Sequence, residues 1–487
     1  MGQHQTRRRN FRQLSTVSFT SCIMGTWEIA LATNGPGVHN GGISGFFWSL
    51  LWAYIGQAFV ILSLAELASI APTSSSHCHW VSELAPRRAQ RSLSYCTGWL
   101  AWVGWQGVVA VDCLIISEIV QMLIALNIPS YVPQHWHAML LMVAVGVGFA
   151  SFQMLAGNRL SLLEGLFAIV HVYAFVPIVF TLWVMAPSAS AGVNAFMHFH
   201  NGGGWPSTTL SVLVGQLPSM FIWLGSDAVT HLAEEVEDAA RLVPQSMVRS
   251  YLLNAPLTFL LVLTYGFNCG SLIHEVDFRI SYPFLYVFRH AVRSTAITTG
   301  LAVVVLALLA MITTTAIAST SRLTIAFARD RGLPFSRWIR RRNRTIHAPV
   351  NALLLTTAFT SALSIVLVGC TSRLHVVLAL ATGSLMAAYI LSIGCMLVKR
   401  LRQEHLPHAR WSLGRAGLPI NILGVAYASW CCFWAFWPSY YNVGAADFNW
   451  AIVILVMIMS VASVLLWSGK VDYRPPVLRV RPWMNAW

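Results

Sequence analysis

The chain predicts an all-α polytopic membrane protein with about twelve spans, and three observations carry that expectation. Over 487 residues, 56% are hydrophobic and only 10% charged, where soluble domains carry roughly 25% charged residues. The apolar runs are about 20 residues or longer, the length a helix needs to cross a bilayer, and not the alternating ten-residue segments of a transmembrane barrel. Helices also satisfy their own backbone groups, as lipid demands. Threading twelve spans with both termini in the cytoplasm leaves only Arg279, Arg289, Arg293 and Arg373 of the 31 Lys and Arg outside, which is the positive-inside asymmetry. With its Arg residues set between apolar runs, the net charge of +14 reads as a topology signal and not as a nucleic-acid surface.

The elements follow in order. Arg7, Arg8 and Arg9 precede an apolar run from about Leu14 to Ala32, too long for the core of a signal peptide, so residues 1–13 read as a cytoplasmic tail before an uncleaved first span. Spans are expected near 14–34, 43–71, 94–126, 138–156, 160–186, 209–233, 250–273, 296–325, 348–369, 374–398, 418–438 and 447–468. The segment 72–92 reads as an amphipathic internal piece, 187–208 as an external loop, 274–295 as an external loop able to hold a short helix, 399–417 as a cytoplasmic loop and 469–487 as a cytoplasmic tail. Trp136, Trp205 and Trp450 near span ends fit an interfacial belt. The sequon Asn343-Arg344-Thr345 lies in the most basic loop and is expected to be silent. The nine Cys form no CxxC pair and read as small buried apolar residues. No cofactor and no metal is expected.

Charges inside spans are costly and usually face a cavity or a partner. Here they are Glu28, Asp112, Glu118, Glu164, His171 and Asp227. In the first span, Thr20–Glu28 interrupts the apolar run with Cys22, Gly25, Thr26, Trp27 and Glu28. In the sixth, Pro218 precedes Phe221, Trp223, Gly225, Ser226 and Asp227. Pro and Gly-Ser allow a helix to break, and a break frees backbone N–H and C=O groups for a solute or an ion. If the chain is a five-plus-five inverted repeat, the first and sixth spans correspond, and matched interruptions point to a binding site. Trp102 and Trp105, with Trp27, Phe221 and Trp223, offer aromatic faces to an ammonium group. Asp227, His231 and Glu234 fall at i, i+4 and i+7 and are expected on one helix face. Glu164 and His171, seven apart, share a face of the fifth span, and either packing or proton coupling fits them. Thr315, Ser319 and Thr320 in the eighth span fit either a sodium site or hydrogen bonds to their own helix.

The stretches Thr26-Trp-Glu28, Ser63-Leu-Ala-Glu-Leu-Ala-Ser69, His79-Trp80, Gly225-Ser-Asp-Ala228 with Glu234-Glu235, Ala326-Phe-Ala-Arg-Asp-Arg-Gly-Leu-Pro334 and Trp411-Ser-Leu-Gly414 resemble the amino acid/polyamine/organocation permease superfamily, in its fungal amino acid, GABA and choline permease branch. The resemblance implies the inverted repeat, with 14–186 and 209–398 as its halves and 418–468 as two added spans, and it implies alternating access. It also implies an aromatic gate at Phe221 and a cytoplasmic gate that includes Glu234, Glu235, Arg329 and Asp330, to which Glu66 and His231 are added. One departure stands out. The family's Pro-Thr-x-Gly-Gly-Gln-Tyr-His-Trp is here Pro72-Thr-Ser-Ser-Ser-His-Cys-His-Trp80, so a Gly pair has become Ser75-Ser76.

The leading expectation is a secondary carrier of an amino acid or a related amine such as GABA, choline or a polyamine, coupled to protons first and sodium second, in the plasma membrane. A nutrient receptor of the same fold is the alternative. A membrane-embedded acyltransferase built on His77-Cys78-His79 is the remote one, since no carboxylate stands at a telling spacing. A channel is disfavoured because the polar residues form no ring or filter.

Overall fold

The first apolar run is not one helix. In the computed structural model, which describes residues 11–185, 196–269, 282–341 and 348–476, helix α1 (Gln13–Met24) stops at Gly25, whose φ of 43° is left-handed. Glycine is the residue that takes this conformation without a Cβ penalty. Gly25 donates to the Ser21 carbonyl at 3.1 Å while accepting from Ile29 at 2.9 Å, so it ends α1 and starts α2 (Thr26–Ile70). Inside α2, Gly42 takes φ 69° and ψ −177°, and the chain turns there. A Cβ on Gly37 would lie 2.8 Å from the Phe46 ring, nine residues on, a separation that roughly 1.5 Å of rise per residue forbids in a straight helix.

Helices α3 (Ser76–Leu84), α4 (Gln90–Asn127), α5 (His135–Ala156) and α6 (Leu160–Met185) follow. The expected sixth span is then split into α7 (Thr208–Gly215), α8 (Leu217–Ile222) and a 3₁₀ segment, Ser226–Glu235. Pro218 sits at the start of α8, and Gly225, at φ 99°, begins the 3₁₀ segment. The chain continues through α9 (Ala239–Cys269), α10 (Phe284–Val292), α11 (Thr295–Arg329), α12 (Ser336–Ile339), α13 (Val350–Leu367), α14 (Arg373–Leu401), α15 (Gly417–Ala435) and α16 (Ala451–Trp467). The expected short helix in 274–295 is α10. Arg7–Arg9 and the sequon at 343–345 lie outside the described residues.

Among the described residues, ten helical stretches are long and apolar enough to cross a membrane, with Gln13–Ile70 taken as one of them, and Ala451–Trp467 is a shorter apolar helix. Burial sorts them. The most apolar window of Thr208–Glu235 is 89% buried, against 28% for Leu160–Met185, so the broken sixth stretch lies in the middle of the bundle and α6 lies at its edge. Helix α14 packs most extensively on α4 and α15, and α2 on α9.

At the end of the bundle that carries the basic loops, both tails tie back onto it. Phe11 bridges to the chain beyond the 3₁₀ segment, donating to the Glu235 carbonyl at 3.2 Å and accepting from Glu237 at 3.0 Å. Arg474 donates its amide to the Asp330 carbonyl at 3.1 Å. The altered stretch after α2 keeps its turn: Ser76 sits at φ 32°, where the resembling family has glycine, a conformation that costs an L-residue roughly 1–2 kcal/mol. The Ser75 hydroxyl donates to Asp330 at 2.8 Å, so the hydroxyl that replaced a glycine hydrogen joins α3 to the end of α11.

Candidate functional site

The two breaks meet. A Cβ on Gly225 would lie 3.6 Å from the Ile23 carbonyl oxygen and from Met24 Cα, which places the sixth-stretch interruption against the last turn of α1. The carbonyl end of α1 carries partial negative charge, and the start of α2 carries partial positive charge. One small region therefore offers acceptors on one side and donors on the other.

Two carboxylates line the α1–α2 break from within. Glu28, in the first turn of α2, is buried and lies 2.5 Å from Nδ1 of His171 on α6. The other ring nitrogen, Nε2, is 2.9 Å from Asn254 Oδ1 on α9. The Asn254 amide is turned by its own Nδ2, which donates to the Ser21 carbonyl at 3.4 Å. Both imidazole nitrogens thus face acceptors. A neutral imidazole has one N–H, so the short His171–Glu28 contact is a place where a proton can be shared between ring and carboxyl. The Trp27 ring lies tilted to His171 at 6.0 Å and edge-on to Phe175 at 5.5 Å. Its Nε1 and Glu28 Oε2 have no hydrogen-bond partner among the described residues. Thr26 accepts from the Thr258 hydroxyl at 2.6 Å.

Glu164, one face of α6 with His171, is fully buried and accepts from the Thr315 hydroxyl of α11 at 2.9 Å. Its Oε2 has no partner and it makes no ion pair among the described residues. Cys22 Sγ lies 4.0 Å from the main-chain carbonyl of Glu164, so the end of α1 packs on α6 at this residue. A buried carboxylate that makes no ion pair is costly, and taking up a cation or a proton lowers that cost.

Asp227 differs because every side around it is filled. His77 Nε2 lies 3.0 Å from Oδ2, Trp105 Nε1 donates to Oδ2 at 3.2 Å, and the Tyr389 hydroxyl donates to Oδ1 at 2.8 Å. Helices α3, α4 and α14 thus converge on one carboxylate at the start of the 3₁₀ segment. That segment also corrects the expected single face. At three residues per turn, His231 and Glu234 align while Asp227 points elsewhere. His231 turns to the Ser319 hydroxyl at 2.7 Å, and its ring meets Trp105 edge-on at 5.3 Å. Ser319 also donates to the Ala228 carbonyl at 3.2 Å, and Thr320 to the Trp105 carbonyl at 3.4 Å.

The last two residues of the 3₁₀ segment carry a layer of ion pairs. Glu234 meets Arg329 at 2.7 Å and Glu235 meets Arg322 at 2.8 Å. Glu66 pairs instead with Arg400 at 2.6 Å and accepts from Ser412 and from the Leu413 amide at 2.9 and 3.1 Å, so it ties α2 to α14 and to the chain before α15. At the opposite end a cleft is lined by Pro36, His39, Asn40, Arg373, His375 and Tyr440.

The remaining candidates separate. Phe221 is buried one turn before Gly225. Trp223 donates to the Leu50 carbonyl at 3.1 Å and packs among Tyr54, Tyr251 and Phe259, which makes it a packing residue. Trp102 donates to Thr324 at 3.0 Å and lies with Trp99 in a cleft at the basic end. Asp112 is buried in α4, and Glu118 pairs with Arg373 at 2.9 Å. Sequence reasoning missed His77, Asn254 and Tyr389 as partners. His77 carried a signal, since it stands in the altered stretch. Asn254 is a lone amide in an apolar run, and Tyr389 had no mark.

The glycine at the break makes a prediction. A Cβ at position 25 would fall 2.1 Å from Ile312 Cδ1, and φ 43° already disfavours an L-side chain by about 1–2 kcal/mol. Gly25→Ala is expected to lower the melting temperature of the purified chain and to weaken solute binding; an unchanged melting curve and affinity would remove the need for glycine there.

The sequence profile of a family described as amino acid permease matches residues 11–459. The chain is 26% identical over 437 residues to a protein of Macrophomina phaseolina named for amino acid/polyamine transport, covering 89% of this chain and 96% of that one. It is similar to the choline transporter of Saccharomyces cerevisiae, 23% identical over 468 residues, covering 95% and 82%. It is also similar to amino-acid permease 2 of Neurospora crassa, 24% identical over 490 residues, covering 98% and 88%.

Proposed function

Since the chain belongs to the amino acid permease family, a family of multi-pass membrane transporters and not of enzymes, we propose that it is a cation-coupled carrier of an amino acid or a small amine that works by alternating access. The observation that carries this reading is the contact between the breaks at Gly25 and Gly225. A solute carboxylate is met by the N–H groups that open α2, and a solute amine by the α1 carbonyls and Glu28.

The reading takes the turn at Gly42 as the boundary between two spans and counts α16 as a span, which makes twelve. Residues 14–186 and 209–398 are the inverted halves, with the breaks of α1–α2 and α8–3₁₀ in matching places. The basic end is cytoplasmic, both termini lie there, and the plasma membrane is the location. The Glu234–Arg329 and Glu235–Arg322 pairs form the cytoplasmic gate, with Glu66–Arg400 beside it and Asp330 held by Ser75. Phe221 covers the solute.

Protons are the favoured coupling ion. His171 and Glu28 hold one between them, and Glu164 is the second buried acceptor. Sodium is the weaker choice because the α11 hydroxyls are engaged: Thr315 with Glu164, Ser319 with His231 and the Ala228 carbonyl.

Purified full-length chain in liposomes decides the function. With GABA, neutral and basic amino acids, choline and a polyamine as labelled probes, saturable uptake of at least one is expected. Binding of a probe without flux would favour the receptor reading, and neither binding nor flux across the panel would sink the carrier reading.

A further inference from the structure

Helix α11 leaves the bundle at the basic end through a strained turn. Arg331 and Phe335 both take left-handed backbone angles, φ 58° and 54°, a conformation that costs a bulky L-residue roughly 1–2 kcal/mol each. The strain does not serve the packing of Phe335, whose side chain is 82% exposed. It turns the ring outward beside Trp338, itself 43% exposed. Behind these two rings is a cleft with an entirely apolar lining that includes Trp99, Trp102, Leu333, Phe335, Trp338 and Leu355. Arg337, Arg340 and Arg341 are exposed on the same turn and the residues that follow it. None of the three makes an ion pair among the described residues, whereas Arg322, Arg329 and Arg331, a few residues earlier, are each paired with a carboxylate.

We propose that this cleft is a binding site for one anionic glycerophospholipid of the cytoplasmic leaflet, with an acyl chain between the indoles and the phosphate on Arg337, Arg340 and Arg341. The placement in that leaflet rests on the orientation proposed above. An apolar slot takes a chain, and exposed guanidiniums on the turn that walls it take an anion. A zwitterionic headgroup brings its own cation and gains less. The cleft is also wired to the gate. Trp99, Trp102 and Trp105 follow at three-residue spacing along α4, Trp102 walls the cleft, and Trp105 donates to Asp227. A chain packed against Trp102 therefore supports the turn of α4 that holds the Asp227 cluster, and the occupied site is expected to favour the closed cytoplasmic end.

Native mass spectrometry of the full chain in detergent, titrated with phosphatidylserine or with phosphatidylcholine, tests the site. One saturable phosphatidylserine is expected per chain, bound tighter than phosphatidylcholine. The triple variant Arg337→Gln, Arg340→Gln, Arg341→Gln is expected to lose on the order of a hundredfold in affinity, from about 1 kcal/mol of surface attraction per arginine. Leu355→Trp, which fills the cleft, and Phe335→Ser, at an exposed ring with no role in packing, are expected to abolish or weaken the saturable step with every arginine in place. Loss in the arginine variant alone would mean diffuse adsorption and overturn the site, as would equal affinity for the two lipids. Labelling of Arg341→Cys in sealed vesicles with an impermeant maleimide tests the leaflet separately, so a wrong orientation is told apart from a wrong site.

Discussion

Asp227→Asn is expected to reduce uptake of any transported solute by about 30- to 1,000-fold while the protein still folds. The carboxylate accepts from Trp105 and Tyr389 and faces His77, and all three partners are buried. An amide keeps the shape but offers one acceptor atom and turns an N–H toward groups that donate. Leaving such a cluster half-satisfied costs about 2–4 kcal/mol in a dry interior. The loss is expected to fall on the cycle because the cluster joins three helices to the broken sixth stretch. Initial rates of labelled uptake measure it, with thermal unfolding as the control for folding. Undiminished uptake would remove Asp227 from the mechanism.

Glu28→Gln is expected to uncouple the carrier. His171 faces acceptors on both nitrogens only because Glu28 is one of them. With Gln in its place the ring has no carboxyl with which to share a proton. A carrier that moves one proton with one solute can build at most a tenfold gradient per pH unit, since one unit is worth 1.36 kcal/mol. In liposomes with the membrane potential clamped, the native chain is expected to approach that ratio and Glu28→Gln to stay near unity, while exchange of internal for external solute continues. Concentrative uptake by the variant equal to that of the native chain would move the coupling site elsewhere, with Glu164 the next carboxylate to test by Glu164→Gln.

The legible parts of this molecule are those written in residues with few conformational options. Gly25 and Gly225 mark their breaks because left-handed backbone selects glycine, and Pro218 marks the start of α8 because it needs no N–H there. The long apolar runs mark most of the other spanning helices by length alone, while Gln13–Ile70 counts as one stretch and Ala451–Trp467 is a shorter apolar helix. What stayed hidden depends on choices that sequence does not encode locally. Asp227, His231 and Glu234 suit one face of an α-helix, and nothing in their spacing announces a 3₁₀ segment, which rotates Asp227 away from the other two. Trp102, Trp105 and Trp223 are alike as residues, yet only Trp105 reaches Asp227, because the difference lies in which neighbour each turn of helix meets. Partners far apart in the chain were also out of reach. His77 is 150 residues from Asp227 and Asn254 is 83 from His171. Ser76 shows another limit: the change from glycine is plain in the sequence, but the left-handed angle that Ser76 keeps and the bond from Ser75 to Asp330 are not.

The solute is expected between the breaks at Gly25 and Gly225, and an experimental map of the full chain in lipid with its transported solute bound tests that placement most directly. The predicted result is solute density within hydrogen-bond reach of residues 22–28 and 221–227, with Phe221 against it. Density confined to the cleft at His39 and His375, with the two breaks packed against each other as before, would contradict it.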